Sequence, residues 1–326
     1  MFFQKRTNHQ SFVESTSGGK YAFYFFLLDI FMFCLTVCFV IIAIQFVFGG
    51  SKVQTIMQTS DQANNLGTEP ALSGGKIILK DDFYGTIWYP ALKNVPVNSY
   101  NPSGFSLDSK NFMTYKENGK QKSVLGIDVS EYQGDIDWNK IKAQGIQFAM
   151  IRVGGRGYGN GQIYEDKNFK KNIEAAEKVG LKVGIYFLSQ AVSADEAKEE
   201  ANFVLDSIKN YNIIYPVALD WEIIANETAR TDNVAPQGLT DIAKTFCNTI
   251  KASGYKPIIY LSTKLAVLKY DLSQVTDLPL WIAEYDKTPS FYYDFAMWQY
   301  SSTAKVDGIQ GNVDLDISMV DYSKKK

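Results

Sequence analysis

Two carboxylates, Asp220 and Glu222, close the apolar run Tyr215-Pro216-Val217-Ala218-Leu219-Asp220-Trp221-Glu222. Such a run is expected to form a short buried β-strand, in which residues two apart share a face. Asp220 and Glu222 then project the same way at the strand's C-terminal end, with Trp221 facing opposite. Two strand rises separate their α-carbons by about 7 Å. That is the scale of the carboxyl pairs that flank a glycosidic bond during hydrolysis. Solvated acids at strand ends are also common, so the pair gains meaning only from what converges on it.

Histidine narrows the chemistry. The only one in the chain is His9, ahead of a long apolar segment. The main domain therefore holds no Ser-His-Asp triad, Cys-His pair or His-ligated zinc. Carboxylates, Tyr, Lys or a cofactor must do the work. The run Gly154-Gly155-Arg156-Gly157-Tyr158-Gly159-Asn160-Gly161 has no G-x-G-x-x-G match and lacks the βαβ context of a nucleotide loop. It is expected to be a flexible loop over the cleft, and neither a cofactor nor a metal is expected. Cys34 and Cys38 lie in the apolar segment and Cys247 stands alone, so one thiol leaves no disulfide framework in the soluble part. A net charge of −2 is not that of a nucleic-acid binder. An apolar content of 46% supports a sizeable core.

Along the chain, residues 1–20 are polar and carry Lys5, Arg6 and Lys20. Residues 21–48 form an apolar segment interrupted by Asp29, with Ile30 to Phe48 free of charge. That length spans a bilayer as a helix. Basic residues are denser before it than after it, which places the N-terminus in the cytoplasm and the rest outside. A cleaved signal peptide is the competing reading, but Phe46-Val47-Phe48-Gly49-Gly50 is a poor cleavage site. Residues 49–122 are expected to be a linker, with short strands at 77–79, 84–89 and 112–115 and an Asn118-Gly119 turn. From Lys76 onward they serve as a stalk or a packing segment. The catalytic candidate occupies 123–323, and Lys324-Lys325-Lys326 is a basic tail.

From Ser123 the chain alternates strand-like and helix-like runs. Strands are expected at 124–129, 148–153, 182–187, 216–222, 257–261, 280–285 and 296–300. Helices are expected from Asp137 as N-cap, over 168–179 before Gly180, over 194–211, and over 240–253 before Gly254. This alternation points to an α/β fold, an irregular TIM-like (β/α) barrel with little helix between its last strands. Active sites of such barrels lie at the C-terminal ends of the strands, where Asp128, Asp220 and Glu222 fall.

These residues also form an ordered set of motifs. Gly126-Ile127-Asp128-Val129-Ser130-Glu131-Tyr132-Gln133-Gly134 is followed by Ile136-Asp137-Trp138, then by Phe148 to Arg152 and Arg156 to Gly159. Gly184 to Ala191, Asp220-Trp221-Glu222, Ala229-Arg230-Thr231, Trp281 to Tyr285, Trp298-Gln299-Tyr300 and Val313-Asp314-Leu315-Asp316 complete it. Over about 124–320 the chain resembles the glycoside hydrolase family 25 lysozymes, the N-acetylmuramidases. It departs at Phe187, where many members carry a histidine.

The resemblance implies hydrolysis of the β-1,4 bond between N-acetylmuramic acid and N-acetylglucosamine, with peptidoglycan glycan strands as partner. It assigns the general acid to Glu222, which must stay protonated at working pH. Asp220 would stay ionised and orient the substrate's 2-acetamido group or stabilise developing positive charge. Asp128 and Asp314 match further acidic positions of the family's cleft; capping of neighbouring amides is the alternative role for Asp314. Among the aromatic residues, Tyr186 and Trp298 are expected to face substrate, with Tyr260, Trp281 and Tyr285 as further sugar-cleft candidates or core residues. Arg230 would contact substrate carboxylates or pair with an acid. The expected site is therefore catalytic at Glu222, Asp220, Asp128 and Asp314, on a membrane-anchored protein. Two other classes stay open, a non-catalytic wall-binding module on a membrane stalk and a chitinase-like glycosidase. Stereochemical course and protein partners are not legible at this level.

Overall fold

The computed structural model describes residues 76–81, 85–224 and 227–324, all within the compact unit Gly67–Lys326. The expected N-terminal segment, the anchor at 21–48 and the linker up to residue 75 lie outside the described residues. Among the described residues no helix is long and apolar enough to cross a membrane.

In chain order the elements are β1 (Lys76–Asp81), β2 (Gly85–Pro90), β3 (Phe105–Leu107), β4 (Met113–Glu117), β5 (Lys120–Gln121), β6 (Val124–Val129) and α1 (Trp138–Ala143). Then come β7 (Phe148–Arg156), β8 (Ile163–Glu165), α2 (Phe169–Lys178), β9 (Lys182–Ser189), α3 (Ala194–Ile208) and β10 (Ile213–Trp221). α4 (Pro236–Ala252), β11 (Pro257–Ser262), α5 (Thr263–Leu268), β12 (Leu280–Ala283), β13 (Met297–Ala304) and β14 (Val313–Ser318) complete the chain. Helix ends follow local chemistry. Asp137 caps α1, accepting from Lys140 N, and Ser193 caps α3, accepting from Glu196 N. Gly180 and Gly254 stop α2 and α4 at positive φ. Pro236 at the first turn starts α4 a turn earlier than expected from the apolar pattern.

Eight strands close the barrel in the order β6-β7-β9-β10-β11-β12-β13-β14, with β14 returning to β6. All neighbours from β6 to β13 are parallel, whereas β14 is antiparallel to both β13 and β6. The connection over 305–312 explains the reversal: it is shorter than the dozen or so residues that a parallel crossover needs. Because β14 runs backwards, its N-terminal half lies at the mouth formed by the C-terminal ends of the other strands.

Strand alternation sorts the side chains. Ile127, Ile151, Ile185, Leu219, Ile259 and Ile282 face outward into the core shared with the helices. Val124, Phe148, Met150, Tyr215, Ala218, Ile258, Trp281 and Met297 fill the interior. Two glycines make room for them. A Cβ on Gly126 would lie 2.2 Å from the Phe148 ring, and one on Gly184 would lie 2.4 Å from Met150 Sδ. Phe148 can therefore stack on Tyr215, with ring centroids 4.3 Å apart.

Of the two roles open for the stretch before the barrel, stalk or packing, residues 91–122 take the second. Phe105, Met113 and Tyr115 are buried in the same core as the outer barrel face. Tyr293 Oη accepts from Leu92 N, Tyr300 Oη accepts from Met113 N, and Tyr100 Oη donates to Phe295 O. Asn118 and Gly119 both take positive φ, as a two-residue hairpin turn requires, and join β4 to β5.

The substitution Gly126→Ala should cost roughly 1–3 kcal/mol through overpacking. Denaturant unfolding checks this, and an unchanged midpoint would contradict the tight fit against Phe148.

Candidate active site

The inward faces change character toward the mouth. Interior positions that are apolar lower down become Asp128 on β6, Arg152 on β7, Tyr186 on β9, Asp220 on β10, Tyr260 on β11 and Gln299 on β13. On β14, Asp314 stands directly opposite Asp128 in register, and Asp316 shares its face two residues on. Glu222 follows immediately after the end of β10. Four of the expected catalytic residues, Asp128, Asp220, Glu222 and Asp314, thus meet in one cleft.

Electrostatics there is dominated by burial of like charges. Asp220 is almost fully buried, and its carboxyl is pushed well above the usual range by desolvation and then by Glu222; Arg152 opposes this. One of its oxygens, Oδ1, is buried without a hydrogen-bond partner. Glu222 is exposed on the cleft side, yet the surrounding walls raise its pKa, with the charge of Asp314 adding to the effect. Burial raises Asp314 to about 6. Asp128 is driven well up by burial and by Asp316 and Asp314, and Asp316, fully buried, behaves alike. The expected ionised Asp220 beside a protonated Glu222 is therefore not the free-cleft pattern. Both carboxyls are raised, because for Asp220 desolvation outweighs the attraction of Arg152 and for Glu222 desolvation is joined by the charge of Asp314.

Polar partners hold this cluster in place. Gln299 Nε2 donates to Asp128 Oδ2 at 2.8 Å, and Gln299 Oε1 accepts from Tyr260 Oη and Tyr285 Oη, each at 3.0 Å. Trp281 Nε1 donates to Asp316 Oδ1 at 2.8 Å. Arg152 bonds Asp166 and Glu131, and its guanidinium lies 5.0 Å from the Tyr132 ring centroid. Among the described residues, no group of three or more His, Cys, Asp or Glu has the geometry to hold a metal ion.

The aromatic candidates separate. Tyr186 is half-buried and faces inward, and Tyr285 is 58% exposed at the mouth. Tyr260 is tied to Gln299, and Trp281 is buried inside the barrel as a floor residue. Trp298, expected to face substrate, does not. Its inward neighbour in the strand is Gln299, so Trp298 points outward. It is fully buried against Phe105 and Tyr300, with its indole N–H on Glu284 O. Trp281 likewise offers no open ring face, since its exposure is 1%. Arg230 pairs with an acid: its two terminal nitrogens bond the Glu196 carboxylate at 2.7 and 2.6 Å.

The glycine-rich run expected as a loose loop over the cleft is partly strand. β7 continues through Arg156 and folds back on β8 as a hairpin. Arg156 is buried and bonds Glu200, Glu199 and Gly161 O, each at 2.7 Å. Glu200 is fully buried, accepts from Ser189 Oγ at 2.6 Å, and is raised to about 7 by desolvation. Arg152, Gln299, Asp316 and Gln190 were not anticipated as site residues. Parity was the available signal for three of them: Arg152 is two past Met150, Gln299 two past Met297 and Asp316 two past Asp314. A separate cavity of about 1010 Å³ opens at the other end of the barrel, lined by Tyr255, Pro257, Leu280, Phe295 and Tyr322. None of the clustered acids borders it.

Comparison with known proteins identifies the family. Residues 127–309, more than half of the chain, match the model for glycosyl hydrolases family 25, and the chain belongs to that family. It is 29% identical over 195 residues to the autolytic lysozyme of Clostridium acetobutylicum, covering 59% of this chain and 55% of that protein. It is 25% identical over 202 residues to lysozyme M1 of Streptomyces globisporus, covering 59% of this chain and 66% of that protein. The match thus spans less than two thirds of either relative. A family 25 glycosyl hydrolase from Bacillus anthracis shares the fold, with a TM-score of 0.51 and 23% identity over 66% of this chain and 95% of its own.

The raised carboxyls set a pH dependence of stability. In the folded state Asp314, Glu200, Asp128, Asp220 and Asp316 hold protons more tightly than in the unfolded chain. Their contribution is fully present below the unfolded carboxylate range and is lost as pH rises through the folded values, about 6 for Asp314 and about 7 for Glu200. Groups lowered by ion pairs, such as Glu131 and Glu196, contribute stability above the unfolded carboxylate range and lose it only as pH falls below that range, so their contribution is nearly constant over this interval. The thermal midpoint should therefore be higher at about pH 5 than at about pH 8. A midpoint that rises over that interval would refute the assignment.

Proposed function

We propose that this protein is a glycoside hydrolase of the lysozyme type, which cleaves the β-1,4 bond between N-acetylmuramic acid and N-acetylglucosamine in peptidoglycan. The observation that carries this reading is the convergence of Asp220 and Glu222, both raised in pKa, on the mouth of a barrel of this family. The lysozyme names of the two relatives supply the substrate class.

In this mechanism Glu222 is the general acid. It is the carboxyl of the pair that reaches open cleft, and its raised pKa retains a proton for the departing glycosidic oxygen. Burial, the charge of Glu222 on Asp220 and the charge of Asp314 on Glu222 all favour retention of a proton by the pair. Substrate binding places that proton on Glu222, and Asp220, then ionised, stands near the reacting carbon. There it orients the 2-acetamido group or balances positive charge as the bond breaks. Asp128 and Asp316 form the acidic back wall, held by Gln299 and Trp281. Tyr186 and Tyr285 present rings or hydroxyls to the sugar.

Purified full-length protein and its Glu222→Gln variant, incubated with peptidoglycan, provide the test after borohydride reduction and mass spectrometry of the released fragments. Wild type should yield reduced muramic-acid ends, and the variant should be slower by about 10²–10⁴-fold. Reduced glucosamine ends would change the bond, and wall binding without new ends would favour a binding module. Asp314→Asn should shift the alkaline limb of the pH–rate profile to lower pH. Removing the Asp314 charge lowers the pKa of Glu222, so the acid loses its proton sooner as pH rises. A limb that stays put would show that Asp314 does not tune the acid.

A further inference from the structure

Glu222 lies one residue beyond β10, and the last rung between β10 and β9 is Trp221 opposite Ser189. Past that rung the sheet no longer sets its position. No hydrogen bond reaches the Glu222 carboxyl among the described residues, so its placement depends on how its backbone is held.

A buried side chain supplies the missing rung. Gln190, 1% exposed, follows the end of β9, and its Nε2 donates to the backbone carbonyl of Glu222 at 2.8 Å. Its Oε1 accepts from Thr231 Oγ1 at 3.0 Å, and Thr231 is itself buried. Its own carbonyl accepts from Arg230 Nη1 at 3.0 Å, and Arg230 is clamped on Glu196. The amide can point only one way, since a reversed amide would set its oxygen against the Glu222 carbonyl oxygen. On the other side, Trp221 Nε1 donates to Ala191 O at 3.0 Å and ties the preceding residue to the same segment.

We propose that Gln190 is a positioning residue for the general acid: its side-chain amide continues the β9–β10 ladder by one rung and sets where the Glu222 carboxyl stands. The proposal rests on the reading of Glu222 as proton donor. Displacement of a catalytic group by about 1 Å can cost about 100-fold in rate. Gln190→Met keeps the length and removes the donor. Gln190→Glu keeps the shape, and its carboxyl regains an O–H donor only when protonated.

Steady-state hydrolysis of peptidoglycan by the full chain across pH, with folding checked by circular dichroism, separates the outcomes. Gln190→Met should lower kcat about 10- to 100-fold at every pH, with KM within about threefold of wild type. Gln190→Glu should be as impaired at neutral pH and recover part of its kcat as pH falls. Thr231→Val, which removes the support on the far side of the amide, should lower kcat in the same direction by less. A purely structural Gln190 would instead lower the thermal midpoint and leave kcat per folded molecule, KM and the pH profile as in wild type. That result overturns the proposal. Wild type without any hydrolysis would overturn the reading of Glu222 first, and this inference with it.

Discussion

Five carboxyl groups, Asp128, Asp220, Glu222, Asp314 and Asp316, are gathered at one end of a barrel whose interior is apolar lower down, and three of them, Asp128, Asp220 and Asp316, carry little or no surface to share with water. Desolvation disfavours each negative charge, and each charge disfavours its neighbours. The cluster is compatible with a folded protein only if protons remain on part of it or donors meet its oxygens. Both conditions hold. Gln299 and Trp281 donate into it, Arg152 stands near Asp220, and the carboxyls are displaced upward in pKa. The cost of collecting these acids is what displaces their pKa values upward.

The barrel makes this cluster possible by filling the space beneath it. Phe148, Tyr215, Met150 and Trp281 occupy the interior because Gly126 and Gly184 present no side chain there. From outside, residues 91–122 brace the late strands, with Phe105 set edge-on to Trp298 at 5.4 Å. Strands β12 and β13 have no helix between them, and this bracing covers the apolar face that a helix would otherwise cover.

A second polar system lies beside the first and meets it through Gln190, which accepts from Arg230 and donates to the Glu222 carbonyl. Arg156 is bound by Glu199 and Glu200, and Arg230 is bound by Glu196, all three acids on α3. Arg156 bonds Gly161 O within the β7–β8 hairpin, and Arg230 N donates to Tyr158 O, which secures the hairpin to the segment after Glu222. The rim of the cleft is thus fastened to a helix by the buried Arg156–Glu200 pair and the half-buried Arg230–Glu196 pair, where the cost of losing a partner is high.

Much of this was legible in the residues alone. Period-two alternation located the strands, glycines and caps located the helix ends, and the single histidine removed whole classes of chemistry. The spacing of Asp220 and Glu222 placed them on one face, and the ordered motifs named the family. Folding decided the rest. That β14 runs antiparallel follows from a short connection, and it brings Asp314 to the mouth opposite Asp128, with Asp316 one pleat deeper opposite Gly126. The outward turn of Trp298 followed from the parity of its strand, yet only packing against Phe105 showed that its ring is sealed from the cleft. The upward displacement of Asp220 and Glu222 was invisible in the chain, because desolvation is a property of surroundings assembled from distant strands. Local chemistry is written in neighbouring residues, whereas burial and charge proximity arise only when the barrel closes.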